Sequence, residues 1–458
     1  MPMESRDEGW TRRAIRPERV LAGGFLALIL VGAALLALPV ASASGQSIGL
    51  FDSLFTATSA VCVTGLVAVD TGTALSMFGQ ITLLILIQLG GLGFMIFATL
   101  IMMALGRRIT LRERMVIRES MSVTDLSGLL RLTMWYGGMA LAIEGGGAAL
   151  LAIRLVPLYG WGKGLYYAVF HAVSAFCNAG FDLFGHYSSL TAFAGDPLVL
   201  LTIAVLIVLG GLGFSVILEV IQHRRGGRRL TLHAKVVLTA TVGLLLVGTL
   251  FFALTEWNNP LTLGKDGAPP AQRLLNAFFQ STTMRTAGFN SVDLAGMKES
   301  SKLMAVLLMF VGASPASTGG GVKTTTMSVL LLIVLSVVRG DEHVNVFGKR
   351  LPTGLMRRAL AILFIDLLIL LVCAMLLTLA ENEGMPFLDL LFESASALAT
   401  VGVSAVGTPN LTFLSRLTLI PVMYFGRVGP LTLALALAHK QSDTQNRIKY
   451  PEENIMIG

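Results

Sequence analysis

Charge is what this chain has least of: Asp, Glu, Lys and Arg make up 13% of its 458 residues, while 54% are hydrophobic. A soluble protein of that length needs roughly a quarter of its residues charged to cover its surface, so a soluble globular protein is excluded. Cysteine is also scarce. Cys62, Cys177 and Cys373 all lie in apolar sequence and provide neither a disulfide framework nor a zinc spacing. The six histidines are scattered without a ligand cluster. With no carboxylate pair, nucleophile–base set or metal cluster in view, an enzyme is the least favoured class. The net charge of +7 invites a nucleic-acid reading, but its distribution has a better explanation.

The apolar residues come in long blocks. No charge occurs between Arg19 and Asp52, between Asp70 and Arg107, or between Lys235 and Glu256. A helix needs about 20 apolar residues to cross a bilayer, so this is a polytopic membrane protein. The first block, Val20 to Ala41, is too long for a signal-peptide core and has no convincing cleavage site, so it reads as the first span. Basic residues cluster at the N-terminus (Arg12, Arg13, Arg16, Arg19), at 107–118, at 224–235, at 339–358 and in the tail (Lys440, Arg447, Lys449), while the connections between these clusters hold few. By the positive-inside rule both termini and three basic loops face the cytoplasm. Going out and back between successive basic loops predicts eight spans, near 20–41, 78–104, 132–155, 198–221, 236–255, 303–338, 359–380 and 414–438. The sixth would make a helix of roughly 54 Å against a hydrocarbon core near 30 Å. A break at Thr318-Gly319-Gly320-Gly321 is expected there.

Each outer connection contains a segment running from Phe to a Gly ten residues later: FTATSAVCVTG (Phe55–Gly65), FHAVSAFCNAG (Phe170–Gly180), FFQSTTMRTAG (Phe278–Gly288) and FESASALATVG (Phe392–Gly402). A hydroxyl residue stands four after each Phe, at Ser59, Ser174, Thr282 and Ser396. A small-residue element follows each, at Gly90 (GGLGF), Gly210 (GGLGF), Gly312 (GASPAS) and Gly426 (GRVGP). Four matched copies are an internal repeat. Each segment is too short to span and reads as a half-length helix dipping into the membrane, then an extended ascent ending at glycine. Such backbone is tolerated at membrane depth only where it is buried or lines water. The units share one orientation, so they can close around an axis normal to the membrane. The fold class expected is all-α: four tandem units, each a helix, a pore loop and a second helix (M1–P–M2), with eight transmembrane helices and four re-entrant loops around a pseudo-fourfold pore. The unit boundaries fall near 1–119, 120–229, 230–350 and 351–458.

An ion leaves water only where oxygens replace its hydration shell, and backbone carbonyls do so without a side-chain charge. The residues preceding each glycine are Val63-Thr64-Gly65, Asn178-Ala179-Gly180, Thr286-Ala287-Gly288 and Thr400-Val401-Gly402. None is acidic, so a carboxylate ring is excluded. Thr400-Val401-Gly402 matches the start of the potassium-channel filter signature. Four such units, one filter glycine in each and a Gly-rich break in the third M2 resemble the Trk/Ktr/HKT superfamily of potassium transporters, and more closely its bacterial Ktr branch. The resemblance covers nearly the whole chain, the tail RIKYPEENIMIG included. It implies potassium at those twelve filter residues, since Gly65 stands where a serine accompanies sodium preference in plant relatives. It also implies sodium stimulation, a homodimer in the bacterial cytoplasmic membrane, and a cytoplasmic ring of nucleotide-binding RCK subunits supplied by another chain. No nucleotide site is expected on this chain, and no nucleic acid. Arg285, three residues before Gly288, departs from the pattern.

Beneath the filter, Thr318, Gly319, Gly320, Gly321 and Lys323 form a candidate gate loop, the alternative being a hinge that relieves an overlong helix. A nucleotide P-loop is a poor fit because Val322 separates Gly321 from Lys323. Arg427, deep in the last span, must face the interior or a partner, and by the resemblance helps close the pore. Glu144 and Asp366 are isolated intramembrane acids, expected to make interhelical hydrogen bonds or ion pairs rather than to handle cations. Cys62 and Cys177 read as packing residues, and Gly90, Gly93, Gly210 and Gly213 as sites of close helix approach. The reading is a potassium translocation subunit. Its rivals are a sodium-selective or poorly selective cation channel and a non-conducting membrane scaffold or sensor.

Overall fold

The structure, a computed structural model, describes residues 17–93, 129–224, 226, 229–381, 384–429 and 432–433, with 96, 99, 103 and 115 between the first two blocks. The order long helix, short helix, extended ascent, second helix recurs four times. The first repeat comprises α1 (Pro17–Leu36), α2 (Leu50–Val61), the single turn α3 (Thr71–Ala74) and α4 (Met77–Gly91). The second is α5 (Leu129–Tyr159), α6 (Trp161–Phe176), α7 (Pro197–Leu212) and α8 (Phe214–Arg224). The third is α9 (Leu232–Glu256), α10 (Pro270–Thr283), α11 (Glu299–Phe310) and α12 (Thr324–Arg339), and the fourth α13 (Thr353–Ala380), α14 (Phe387–Leu398) and α15 (Phe413–Val428). A two-residue hairpin, β1 (Asn345–Val346) with β2 (Lys349–Arg350), links the third repeat to the fourth.

Local chemistry sets these boundaries. The side chains of Ser76, Asp196, Thr231 and Thr412 accept backbone N–H bonds at the starts of α4, α7, α9 and α15, satisfying donors that a helix start leaves unpaired. Gly160, at φ 81°, turns the chain from α5 straight into α6, and Gly49, at φ 92°, sets the entry to α2 after the connection that follows α1. Among the described residues α1, α5, α9 and α13 are each long and apolar enough to cross a bilayer, and the pair α7–α8 makes a fifth candidate. The long helices lie outside, with Leu254 and Leu379 both 74% exposed. The short helices lie inside, where Phe55, Phe170, Phe279 and Phe392 are fully buried. Ion pairs knit the repeats together: Lys302 of α11 with Asp389 of α14 at 2.7 Å, and Arg416 of α15 with Asp52 of α2 at 3.0 Å, the latter joining last repeat to first.

The second helices differ from the sequence expectation. Residues 198–221 do not form one straight helix: α7 and α8 meet at a bend of 100° at Gly213. The cause lies in the third repeat. Phe214 N–H donates to the Ala316 carbonyl at 3.1 Å, and a Cβ at Gly213 would fall 2.6 Å from the Pro315 oxygen. The chain around 315–316 thus occupies the space a straight helix would need. Left-handed glycines also follow α4 (Gly93, φ 83°) and α15 (Gly429, φ 89°). A left-handed glycine or a break thus stands at the small-residue element of every repeat, not in the third alone. The remainders of the expected spans 78–104 and 414–438 lie largely outside the described residues, as do the basic stretch at 107–118, apart from Met115, and the tail.

Candidate ion filter and gate

Each short helix ends four or five residues before its glycine, and the ascent begins with backbone that ordinary residues avoid. Val63, Asn178, Thr286 and Thr400, each two before the glycine, have φ of 56°, 58°, 72° and 52°. Three of the four are β-branched, for which this region is an outlier costing about 1–3 kcal/mol each. Gly65, Gly180, Gly288 and Gly402 follow at φ 91°, 69°, 87° and 93°. Strain repeated at one position in four segments persists only where the surroundings impose it. Those surroundings include side-chain hydroxyls. Ser59 and Ser396 accept the N–H of Gly65 and Gly402, each at 3.0 Å, and Ser174 donates to the Phe181 carbonyl at 2.7 Å.

The third repeat corrects the sequence alignment. Thr283, not Thr282, holds the ascent, donating to the Phe289 carbonyl at 2.5 Å, while Thr282 bonds back to Phe278 within its own helix. Phe279, not Phe278, is the fully buried aromatic. From Phe279 and Thr283 the turn reaches Gly288 with one residue fewer than in the other repeats, so counting back from the glycine misplaces the helix by one. Arg285 sits on this shortened turn. It is buried, its Nε has no hydrogen-bond partner, and it lines a void of about 10 Å³ with Ile207, Gly211, Leu245 and Ala313, behind the ascent.

The four glycines close a ring. A Cβ on Gly65 would collide with the Ala179 carbonyl; on Gly180 it would lie 2.7 Å from Gly288 Cα; on Gly288 it would lie 2.5 Å from the Val401 oxygen; and on Gly402 it would collide with the Thr64 carbonyl. The order is therefore 65, 180, 288, 402 and back to 65. The carbonyls of Thr64, Ala179, Ala287 and Val401 each lie against the glycine of a neighbouring repeat. No side chain larger than hydrogen fits at these positions. Above the ring, on the side where the chain continues past the glycines, all four line one cavity of about 380 Å³.

Asp70, Asp182 and Asp293 also line that cavity. Sequence reasoning missed them because it weighed only the residues before each glycine. Each carboxylate accepts backbone N–H bonds, Asp70 from Gly72, Thr73 and Tyr187 at 2.9, 3.2 and 3.0 Å. Burial raises the pKa of Asp182 to about 7, the Phe184 N–H bond opposing and the charge of Asp70 assisting.

Below the ring lies the loop between α11 and α12. It is folded on itself: Gly312 N–H donates to Val322 at 2.9 Å, Ala313 N–H to Gly320 at 3.1 Å, and Thr324 N–H to Ala313 at 3.2 Å. Thr318 donates its hydroxyl to the Phe176 carbonyl at 3.0 Å, at the end of α6. Gly319 lies against Thr286 and Asn178, and Gly320 against Thr400, so the loop meets the inner ends of three ascents. Arg427 completes the crossing. Its guanidinium donates to the carbonyls of Thr318 and Gly90, and to Gly91 at 2.8 Å, tying the loop to the first repeat. Lys323 Nζ donates to the Gly319 carbonyl at 2.7 Å. The loop is thus packed against the inner ends of the ascents. A cavity of about 290 Å³ beside it is lined by Lys323, Arg427 and Asp366. Glu144 makes the expected interhelical bonds, accepting from Gln88 at 2.9 and 3.0 Å. Cys177 packs against Gly91. Among the described residues no group of three His, Cys, Asp or Glu could hold a metal ion.

A ring of carbonyls beneath a negative mouth, with a strap across its inner end, is the arrangement of a cation pathway. The sequence profile of the TrkH cation transport proteins matches residues 25–448. The chain belongs to the TrkH cation transport family. It is 40% identical over 449 residues to Ktr system potassium uptake protein B of Bacillus subtilis, covering 98% of each. It is 39% identical over 451 residues to the potassium/sodium uptake protein NtpJ of Enterococcus hirae, again covering 98% of each. The potassium transporter TrkH from Vibrio parahaemolyticus has the same fold, with a TM-score of 0.69 at 20% identity, over 91% of this chain and 85% of that one.

Proposed function

We propose that this TrkH-family protein takes up potassium across the bacterial cytoplasmic membrane. The observation that carries the reading is the closure of Gly65, Gly180, Gly288 and Gly402 into one ring with the carbonyls of Thr64, Ala179, Ala287 and Val401. Potassium sheds water at those carbonyls. Thr64 Oγ1 and Thr400 Oγ1, buried without a hydrogen-bond donor, are further free oxygens along the same segments. The carboxylates of Asp70, Asp182 and Asp293 raise the local cation concentration at the outer mouth. The membrane potential supplies the driving force, about 2.3 kcal/mol per charge per 100 mV. No covalent bond changes, and no residue has a catalytic role.

In this reading the four repeats are M1–P–M2 units with both termini in the cytoplasm. The loop at Thr318–Lys323, strapped by Arg427, is the gate. Opening requires the loop to leave the inner ends of the ascents, which Arg427 opposes through its bonds to Gly90, Gly91 and Thr318. The inward-facing basic stretches suit docking onto a cytoplasmic RCK-type ring, and the membrane part works as a homodimer. Carriage of sodium beside potassium is the second reading, favoured by the name of the Enterococcus relative.

Ion flux in liposomes, potassium against sodium, for wild type and Gly402→Ser, tests both. Potassium-preferring flux that the substitution weakens supports the filter. Flux indifferent to the substitution places the pathway elsewhere, and equal flux of both ions favours the second reading. Absence of flux from folded protein, persisting after an RCK partner is added, leaves a scaffold.

A further inference from the structure

The short helices carry a second set of matched positions. Immediately after the buried Phe55, Phe170, Phe279 and Phe392 stand Thr56, His171, Gln280 and Glu393, each at most 2% exposed. Four different polar side chains thus occupy one buried position, behind the four ascents. Their partners divide them. His171 Nε2 accepts the N–H of Leu183 at 3.2 Å, while its Nδ1 lies 2.7 Å from the Tyr167 carbonyl and so carries the proton. The ring stacks on Phe184, with centroids 4.3 Å apart. Glu393 Oε1 accepts the Thr408 hydroxyl at 2.6 Å. Both bonds reach segments beyond the glycines, above the hydroxyl contacts made by Ser174 and Ser396. In the other two repeats the same position is unspent. Thr56 Oγ1 and both amide atoms of Gln280 have no partner. In the ring order 65, 180, 288, 402, the braced repeats face each other across the axis, and so do the unbraced ones.

We propose that His171 and Glu393 are positioning residues for ion selection. They pin the outer ends of the second and fourth ascents, along one diagonal of the ring. The inference rests on the filter reading above. A carbonyl ring discriminates between ions only if its oxygens hold their spacing, and strained ascents hold theirs only when fixed from behind. On this diagonal bonds from the short helix reach Leu183 and Thr408, well past the glycine. On the other, bonds from the short helix reach only Gly65, through Ser59, and Phe289, through Thr283.

The test is the potassium-to-sodium flux ratio in liposomes, measured for wild type, Gly402→Ser, Thr408→Val, His171→Phe, Glu393→Gln, Thr56→Val and Gln280→Met, each first checked for a monodisperse fold. Thr408→Val removes one hydroxyl at nearly constant volume, so it reads the brace without emptying the core. It and His171→Phe lower the ratio about tenfold, the effect expected of one buried hydrogen bond. Glu393→Gln keeps an oxygen that accepts from Thr408 and holds the ratio within about twofold of wild type. Thr56→Val and Gln280→Met, which remove unpartnered atoms, also hold it. An unchanged ratio in Thr408→Val and His171→Phe, with Gly402→Ser still lowering it, overturns the brace and leaves the filter standing. If Gly402→Ser is silent too, the filter reading fails first. Equal losses at Thr56 and Gln280 also overturn the proposal, because the position then serves general packing.

Discussion

At the glycine ring the four repeats are built alike; below it they part. In the first, second and fourth repeats Gly90, Gly210 and Gly426 each seat against the carbonyl that ends the short helix, at Val61, Phe176 and Leu398. In the third, Gly312 seats against Gly320 of its own loop instead. The upper half has to be near-symmetric because its function is a ring, and a ring is only as good as its worst member. The lower half is free to be lopsided. One loop and one arginine can obstruct an axis that four loops would overfill.

Substitutions can break or sharpen this contrast. The largest effect is expected at the ring. Gly402→Ala adds a Cβ against the Thr64 carbonyl at φ 93°, and should cut potassium flux by about 100-fold or more. Near-normal flux from folded protein would end the idea of a closed ring. Next comes the strap. Arg427→Gln should raise basal flux about 30-fold, the equivalent of one charge-assisted bond, without moving the potassium-to-sodium ratio. A ratio that collapses with it would mean the two levels are not separate. A matched pair follows. Gly90→Ala and Gly312→Ala add the same methyl, each costing about tenfold in the affected property. The first should lower ion preference, by pushing α4 against the end of α2. The second should alter only the rate, by displacing Gly320. Identical phenotypes would erase the distinction between upper and lower halves.

The smallest effect is at the mouth. With its pKa raised to about 7, Asp182 is protonated below that value and charged above it. Influx at limiting potassium should therefore rise about twofold from about pH 6 to about pH 8 outside. Asp182→Asn should flatten the profile, and an unchanged profile would remove Asp182 from the account.

Glycine positions were the most legible part of this molecule. A left-handed φ and a neighbour's carbonyl within Cβ distance admit nothing else, so Gly65, Gly180, Gly288 and Gly402 announce themselves by spacing alone. Helix phase was less legible. The doubled Phe278-Phe279 and Thr282-Thr283 of the third repeat offer two registers, and nothing in composition shows that the turn is one residue shorter. The bend at Gly213 was hidden for a different reason. No charge breaks the sequence from Pro197 to Leu218, and the bend is imposed by residues 315–316, a hundred positions away in sequence. His171 and Glu393 escaped notice as single polar residues in segments read for their glycines. The signal was there, in the residue after each buried Phe.

Arg427 has a consequence for how such a molecule can arise. In an assembly of four identical chains, any residue at the axis appears four times over. In the proposed pathway four guanidiniums there would repel the cations passing the ring. Linking the units into one polypeptide removes that constraint, so a single arginine can meet a single loop while its three counterparts (Gly91, Gly211 and Ala313, each next to its repeat's small-residue glycine) stay small and neutral. Covalent continuity thus allows asymmetry to be inherited position by position. The ring can stay fourfold while the strap is made once.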